Sequence, residues 1–241
     1  MTVTWEELGW ERVAAGVGRR RLPVWDCTAG LVVGAGAALL IDAGSSLGEG
    51  AGLRSEAGRL AGHGVTHLAL THPHFDHVFG AAAFAGVAVY GAAGMDAALD
   101  GGRETLRADA VANGLDRRRA REAADALVRV RHQVRGRLAL DLGGGRRALL
   151  AGLGPAHTPH DLVVLVPGTP DVVFCGDLVE ESGEPQAGPD AVPAHWPAAL
   201  DRLLELGGED AVYVPGHGAV VDAAFVRAQR DALAARYGVS R

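Results

Sequence analysis

Short apolar runs bounded by glycine, proline and aspartate recur along the chain, at 30–33, 37–41, 66–70, 87–90, 138–142, 147–151, 162–166, 172–175 and 211–214. Runs this short with such flanks predict β-strands. Stretches of helical spacing lie between them: 51–61, one or two helices within 104–132, 198–206 with Leu200, Leu203, Leu204 and Leu206 on one side, and 223–237. Helices mixed with both isolated and hairpin-spaced strands predict a layered α/β or α+β architecture. No repeat of 20–50 residues and no Ser/Pro-rich linker divides the chain, so one domain over residues 1–241 is expected. The segment 180–194, with Pro185, Pro189 and Pro193, reads as a long loop of the kind that rims active sites.

Composition narrows the chemistry. All 23 basic residues are arginine, which excludes lysine Schiff bases, lysine general bases and a P-loop lysine. A formal charge of −6 and a pI near 5.9 argue against a nucleic-acid-binding surface. The first eleven residues have neither a basic nor an apolar signal region, and no run approaches the roughly 18 apolar residues of a membrane span, so a cytoplasmic location is expected. Cys27 and Cys175 make no disulfide framework, and Cys175 reads as a buried thiol. Ten arginines fall between Arg103 and Arg137; this is expected to be a solvated helix face, with residues 117–121 as a weak candidate for recognising an acidic substrate.

The ten histidines carry the strongest signal. The segment His72-Pro73-His74-Phe75-Asp76-His77 follows the strand-like run 66–70 and so occupies the loop at its C-terminal end. Residues two apart in extended chain point the same way, so His72 and His74 can bind one metal ion, with Pro73 stiffening the backbone between them. Asp76 and His77 follow a turn and can face a second ion. Chance produces such a run at a frequency on the order of 10⁻³ for a chain of this composition. Two ions need further donors. His157, Asp177 and His217 each sit at the end of a strand-like run and complete two sets.

The ordered set His72-x-His74-x-Asp76-His77, His157, Asp177, His217, with Leu40-Ile41-Asp42-Ala43-Gly44 ahead of it, resembles the metallo-β-lactamase superfamily of metal-dependent hydrolases. The resemblance runs from about Leu39 to Gly218. It implies an αββα four-layer sandwich of two mixed β-sheets flanked by helices, with a dinuclear site at one edge. It also implies that His72, His74 and His157 hold one ion, that Asp76, His77 and His217 hold the other, and that Asp177 bridges. The ions would be Zn, with Mn or Fe also suited to these donors, and Asp76 would orient a metal-bridging hydroxide and shuttle a proton. One segment departs from the family pattern: His160 and Asp161 stand where glycine and a supporting histidine are usual, and either could support a ligand ring.

The implied activity is hydrolysis of an ester, lactone, thioester or amide-like bond in a small molecule. Asp177 stands where cysteine-ligand lactamases resemble one another in carrying cysteine. Two other functions are carried alongside: a mononuclear iron persulfide dioxygenase, and a non-catalytic metal-stabilised binding protein. The expected partners are a small-molecule substrate and, as an option, a second copy in a homodimer; neither nucleic acid nor membrane is expected. Outside the ligand set, His195-Trp196 could rim the pocket. His67 and Tyr90 are expected to be structural, and His63 and His132 to face solvent.

Overall fold

Alternate residues of the apolar strands bury on opposite sides, which explains why the runs show no polar alternation. Along 38–41, Ala38 and Leu40 pack into one core, while Leu39 and Ile41 pack into another. Leu162, Val164 and Val166 share the second core, and Val163 and Leu165 enter a third. Both faces of both sheets are therefore covered.

The computed structural model describes residues 3–239; Met1, Thr2, Ser240 and Arg241, included in the one-domain expectation, lie outside the described residues. The chain begins with β1 (Glu11–Ala14), β2 (Val17–Arg21), β3 (Thr28–Val33), β4 (Ala38–Ile41) and α1 (Leu47–Ala61). It continues through β5 (His67–Ala69), the single-turn α2 (Phe75–Val78), β6 (Ala88–Ala92), α3 (Met95–Gly101), α4 (Arg103–Ala112), α5 (Arg117–Asp125) and β7 (His132–Val134). The second half comprises β8 (Arg137–Gly143), β9 (Arg146–Gly152), β10 (Leu162–Val166), β11 (Val172–Glu180), α6 (Trp196–Gly207), β12 (Val212–His217) and α7 (Ala223–Tyr237).

β1 to β7 form a seven-stranded sheet in sequence order, and the other sheet has the order β12-β11-β10-β9-β8. Both are mixed: β1 to β4 pair antiparallel and β4 to β7 parallel, while β11 and β12 are the parallel pair of the smaller sheet. Between the sheets lies the core of Val32, Ile41, Leu150, Val164 and Phe174. The outer face of the larger sheet is covered by Leu53, Leu99, Leu106 and Ala120 from α1, α3, α4 and α5. On the other side, Trp196, Leu203, Val226 and Leu233 of α6 and α7 cover the smaller sheet. The fold is the αββα sandwich of two mixed sheets flanked by helices. The sheets approach closely at Gly30, where an added Cβ would stand 2.5 Å from the Phe174 ring.

Several elements differ from the sequence expectation. The hairpin β1–β2 was not foreseen, because its strands are rich in charge and one of those charges, Arg19, is buried. The helical stretch 104–132 is broken at Asn113-Gly114 and ends at Asp125, so that His132 opens a strand. β11 runs on to Glu180, which places Asp177 inside the strand and not after it. Cys27 and Cys175 are both buried and free. Among the described residues no helix is long and apolar enough to cross a membrane.

Candidate metal centre

The C-terminal ends of β4, β5, β11 and β12 meet at one edge of the sandwich, and the seven candidate ligands gather there. The loop after β5 carries Thr71 and His72; His74 then precedes α2, whose single turn carries Asp76 and His77. Asp177 follows Gly176, whose positive φ of 53° accompanies a break in the β11–β12 register. His217 is the last residue of β12, and His157 lies in the loop between β9 and β10. Gly216 is required for closure, since a Cβ there would lie 1.9 Å from Asp177 Oδ1.

The candidate ligands form two groups: His72, His74, His157 and Asp177 in one, Asp76, His77 and His217 in the other. Asp177 touches both. Its Oδ2 lies 3.6 Å from His72 Nε2, 3.5 Å from His157 Nε2 and 3.3 Å from His217 Nε2, and its Oδ1 lies 3.2 Å from His77 Nε2. Asp76 Oδ2 is 3.3 Å from His217 Nε2 and 3.5 Å from His77 Nε2.

Each ring is aimed by a contact at its outward nitrogen. His72 Nδ1 donates to Thr71 Oγ1 at 3.0 Å, because that hydroxyl gives its own proton to Asp42 Oδ2 at 2.7 Å. His77 Nδ1 donates to Asp42 Oδ2 at 2.9 Å, and His74 Nε2 to the Asp190 carboxylate at 3.3 Å. Backbone carbonyls hold the other two: His157 Nδ1 donates to Gln186 O at 3.1 Å and His217 Nδ1 to Trp25 O at 2.7 Å. In the neutral rings these partners fix the tautomer, so every inward nitrogen presents a lone pair to the centre.

That arrangement fits divalent cations. In those tautomers ring nitrogens face each other at 3.0 Å (His74 Nδ1 to His157 Nε2) and at 3.4 Å (His77 Nε2 to His217 Nε2), an arrangement that calls for a positive charge, a proton or a metal ion, between them. His72 Nε2 and Asp177 Oδ1 are buried without a hydrogen-bond partner, a costly state that coordination would relieve. Imidazole and carboxylate donors suit Zn, Mn and Fe. Burial pushes His72 well below its ordinary pKa and His157 down to about 4. Burial acts in the same sense on His77 and His217, but Asp177 and Asp76 outweigh it, holding His77 well above the ordinary range and raising His217 to about 12. Positive charge is thus most favoured where Asp76 and Asp177 converge.

All seven candidate ligands are brought together. The aiming groups Thr71, Gln186, Asp190 and the Trp25 carbonyl escaped the sequence reading; Asp190, a lone acid beside a proline in the long loop, left the only trace. Of the pair His195-Trp196, the exposed His195 stays away from the ligands, while the buried Trp196 packs edge-on against His157 at 5.3 Å. Neither departure residue touches a ligand ring. His160 Nδ1 donates to Ala93 O at 3.0 Å, and Asp161 accepts from Thr158 N at 2.9 Å and Thr158 Oγ1 at 2.7 Å, which fixes the residue after His157.

Burial raises the Asp161 carboxyl to about 7 against the opposing Thr158 hydrogen bonds. Between the ordinary carboxylate range and pH 7 the folded protein therefore holds a proton that the unfolded chain has lost, and Asp161 lowers stability as pH rises through that window. Asp161→Asn keeps an acceptor for Thr158 without the charge. Denaturation with urea at pH 5 and pH 8 is expected to show this variant gaining on the wild type at the higher pH; parallel behaviour would contradict the burial argument.

The model of the metallo-beta-lactamase superfamily matches residues 22–217. Solved structures agree in fold. The metallo-beta-lactamase FIM-1 from Pseudomonas aeruginosa, in its mono-zinc form, superposes with a TM-score of 0.69 at 20% identity, covering 96% of each chain. DIM-1 metallo-beta-lactamase gives 0.72 at 16% identity, covering 94% of this chain and 97% of that one. A metallo beta lactamase from Erythrobacter litoralis gives 0.69 at 17%, covering 93% and 95%. With the family model spanning all seven candidate ligands, the chain belongs to the metallo-beta-lactamase superfamily.

Proposed function

We propose that the protein is a dinuclear metal-dependent hydrolase acting on an ester, lactone, thioester or amide-like bond of a small molecule, with zinc as the leading metal and Mn or Fe also suited to its donors. The observation that carries this reading is Asp177, which lies within 3.6 Å of ligand nitrogens from both groups. Two divalent ions so held would supply an activated water and a polarised scissile carbonyl. His72, His74 and His157 would hold the first ion, Asp76, His77 and His217 the second, and Asp177 both.

Asp76 is the proposed catalytic residue. Burial alone would raise its pKa, but His77 and His217 outweigh that and hold it below the ordinary carboxylate range. At neutral pH its Oδ2 would therefore accept a hydrogen bond from the attacking water, take up the proton that water loses and hand it to the leaving group. A cleft of about 630 Å³, a size suited to small molecules, is lined by Trp25, Ser45, Leu47, Leu115, Arg118 and Arg119. Trp25 joins it to the metal centre through its carbonyl on His217 and its ring on Phe75, at 5.3 Å. The proposal includes a cytoplasmic protein that handles its substrate without nucleic acid or membrane, as a monomer or homodimer.

A panel of esters, lactones, thioesters, amides and phosphodiesters tests the reading. Hydrolysis is expected on one of the first four, abolished by chelation and restored by Zn. Oxygen uptake with a persulfide at one iron per chain would replace it with the dioxygenase. Bound metal with no turnover of any kind would replace it with a binding protein.

A further inference from the structure

Arg19 is 2% exposed and, among the described residues, the one arginine in the buried class. A guanidinium removed from water destabilises the fold unless its donors are satisfied. Here Nε and Nη2 both lie 2.7 Å from Glu11 Oε2 on β1, and Nη1 donates to the carbonyl of Gly218 at 2.7 Å. The last contact spans 199 positions of sequence and joins β2 of the larger sheet to the residue after His217 of the smaller one.

The second ligand group straddles the two sheets. Asp76 and His77 come from α2, the turn that follows β5, and His217 comes from the end of β12. Its geometry therefore depends on how the edges of the sheets are held together. Gly218 takes a positive φ of 94°, which turns the chain away from the strand just past the ligand. The surrounding contacts converge on that turn: His217 Nδ1 on Trp25 O at 2.7 Å, Glu181 N on His217 O at 3.0 Å, and Glu181 Oε2 accepting from Ala219 N at 2.6 Å. Arg19 is the only charged side chain among them that reaches across from the larger sheet. The first group is aimed instead by Thr71, Gln186 and Asp190, none of which touches Arg19.

We infer that Arg19, braced by Glu11, is a positioning residue for the second metal ion: it staples the His217 turn to β2 and thereby sets the distance of His217 from Asp76 and His77. This rests on the dinuclear reading above. It also gives the charge-rich N-terminal hairpin a role in the site that its distance in sequence conceals.

The test is titration of the metal-free protein with Co(II), followed by its visible spectrum, and with Zn(II), followed by calorimetry. Wild type is expected to take up two ions. Arg19→Met is expected to bind the first within about 2-fold of wild type and the second about 10-fold or more weakly, the range seen when groups that orient ligands are removed. Arg19→Lys, which can still reach Gly218 O, should recover part of that loss, and Glu11→Ala should show a smaller loss of the same kind. The melting temperature of each metal-free variant is recorded alongside, since a merely structural role lowers it without separating the two ions. If Arg19→Met does not fold, Arg19→Lys and Glu11→Ala carry the test. Two ions bound with wild-type affinities in the folded variants would overturn the inference while leaving the dinuclear reading intact. A wild type that binds one ion would overturn the dinuclear reading and the inference with it.

Discussion

Replacing Asp177 with alanine is expected to remove both metal content and hydrolysis, the largest functional effect of any single change in the protein. Its carboxylate lies within 3.6 Å of ring nitrogens from both candidate groups, and although burial alone would raise its pKa, His217 and His77 outweigh that and hold it well below the ordinary carboxylate range. Without it, four imidazoles lose the negative charge around which they converge. Deleting one preorganised electrostatic group from an active site costs roughly 10²–10³ in rate. Loss of a ligand shared by two ions should exceed that, so a fall of about 10³ or more in kcat/KM is expected, with metal content dropping to one ion or fewer. Asp177→Asn separates charge from shape: it preserves the volume beside Gly216 and is expected to lose nearly as much. Wild-type metal stoichiometry in either variant would refute the assignment.

The second large effect concerns stability. Asp42 is buried, sits at a positive φ of 57° and accepts three hydrogen bonds: Thr71 N at 2.8 Å, Thr71 Oγ1 at 2.7 Å and His77 Nδ1 at 2.9 Å. Asp42→Ala leaves all three donors unpaired in the interior and keeps a non-glycine residue in left-handed backbone. Stranding buried partners of a carboxylate costs about 3–5 kcal/mol, a large share of the roughly 5–15 kcal/mol that holds a domain together. Urea denaturation of the metal-free protein should show that loss. Asp42→Asn, which tolerates the backbone and keeps one acceptor, should lie between. A loss under about 1 kcal/mol for alanine would mean that Asp42 does not anchor the site.

The sequence made the apolar interior readable because these strands are buried on both faces: Leu162–Val166 and Val172–Phe174 are continuous hydrophobic runs that admit little else. It concealed β1 and β2 because Arg19 is satisfied by Gly218, a partner no local pattern can announce. The same division holds at the site. His72, His74, Asp76 and His77 betray themselves by crowding, and His157, Asp177 and His217 by standing near strand ends. The groups that aim the rings leave almost no trace, because two of them are backbone carbonyls, at Trp25 and Gln186, with no residue-type signature. Asp177 stands out in the sequence as a candidate ligand but is expected after the strand, whereas the bulge at Gly176 lets β11 continue past it. The arginine-rich segment 117–121 opens α5, whose arginines are exposed while Ala120 packs inward, with Arg118 paired to Glu122 at 3.3 Å; the solvated face expected there is present, and Arg118 and Arg119 also border the cleft beside Trp25.

Elemental analysis of the protein purified without chelator, set beside its rate on the hydrolase panel, bears most directly on the central claim. The convergence of five aimed imidazoles and two carboxylates predicts two divalent ions per chain, with hydrolysis that rises and falls with the second. One iron per chain with oxygen consumption, or full hydrolysis in metal-free protein, would contradict it.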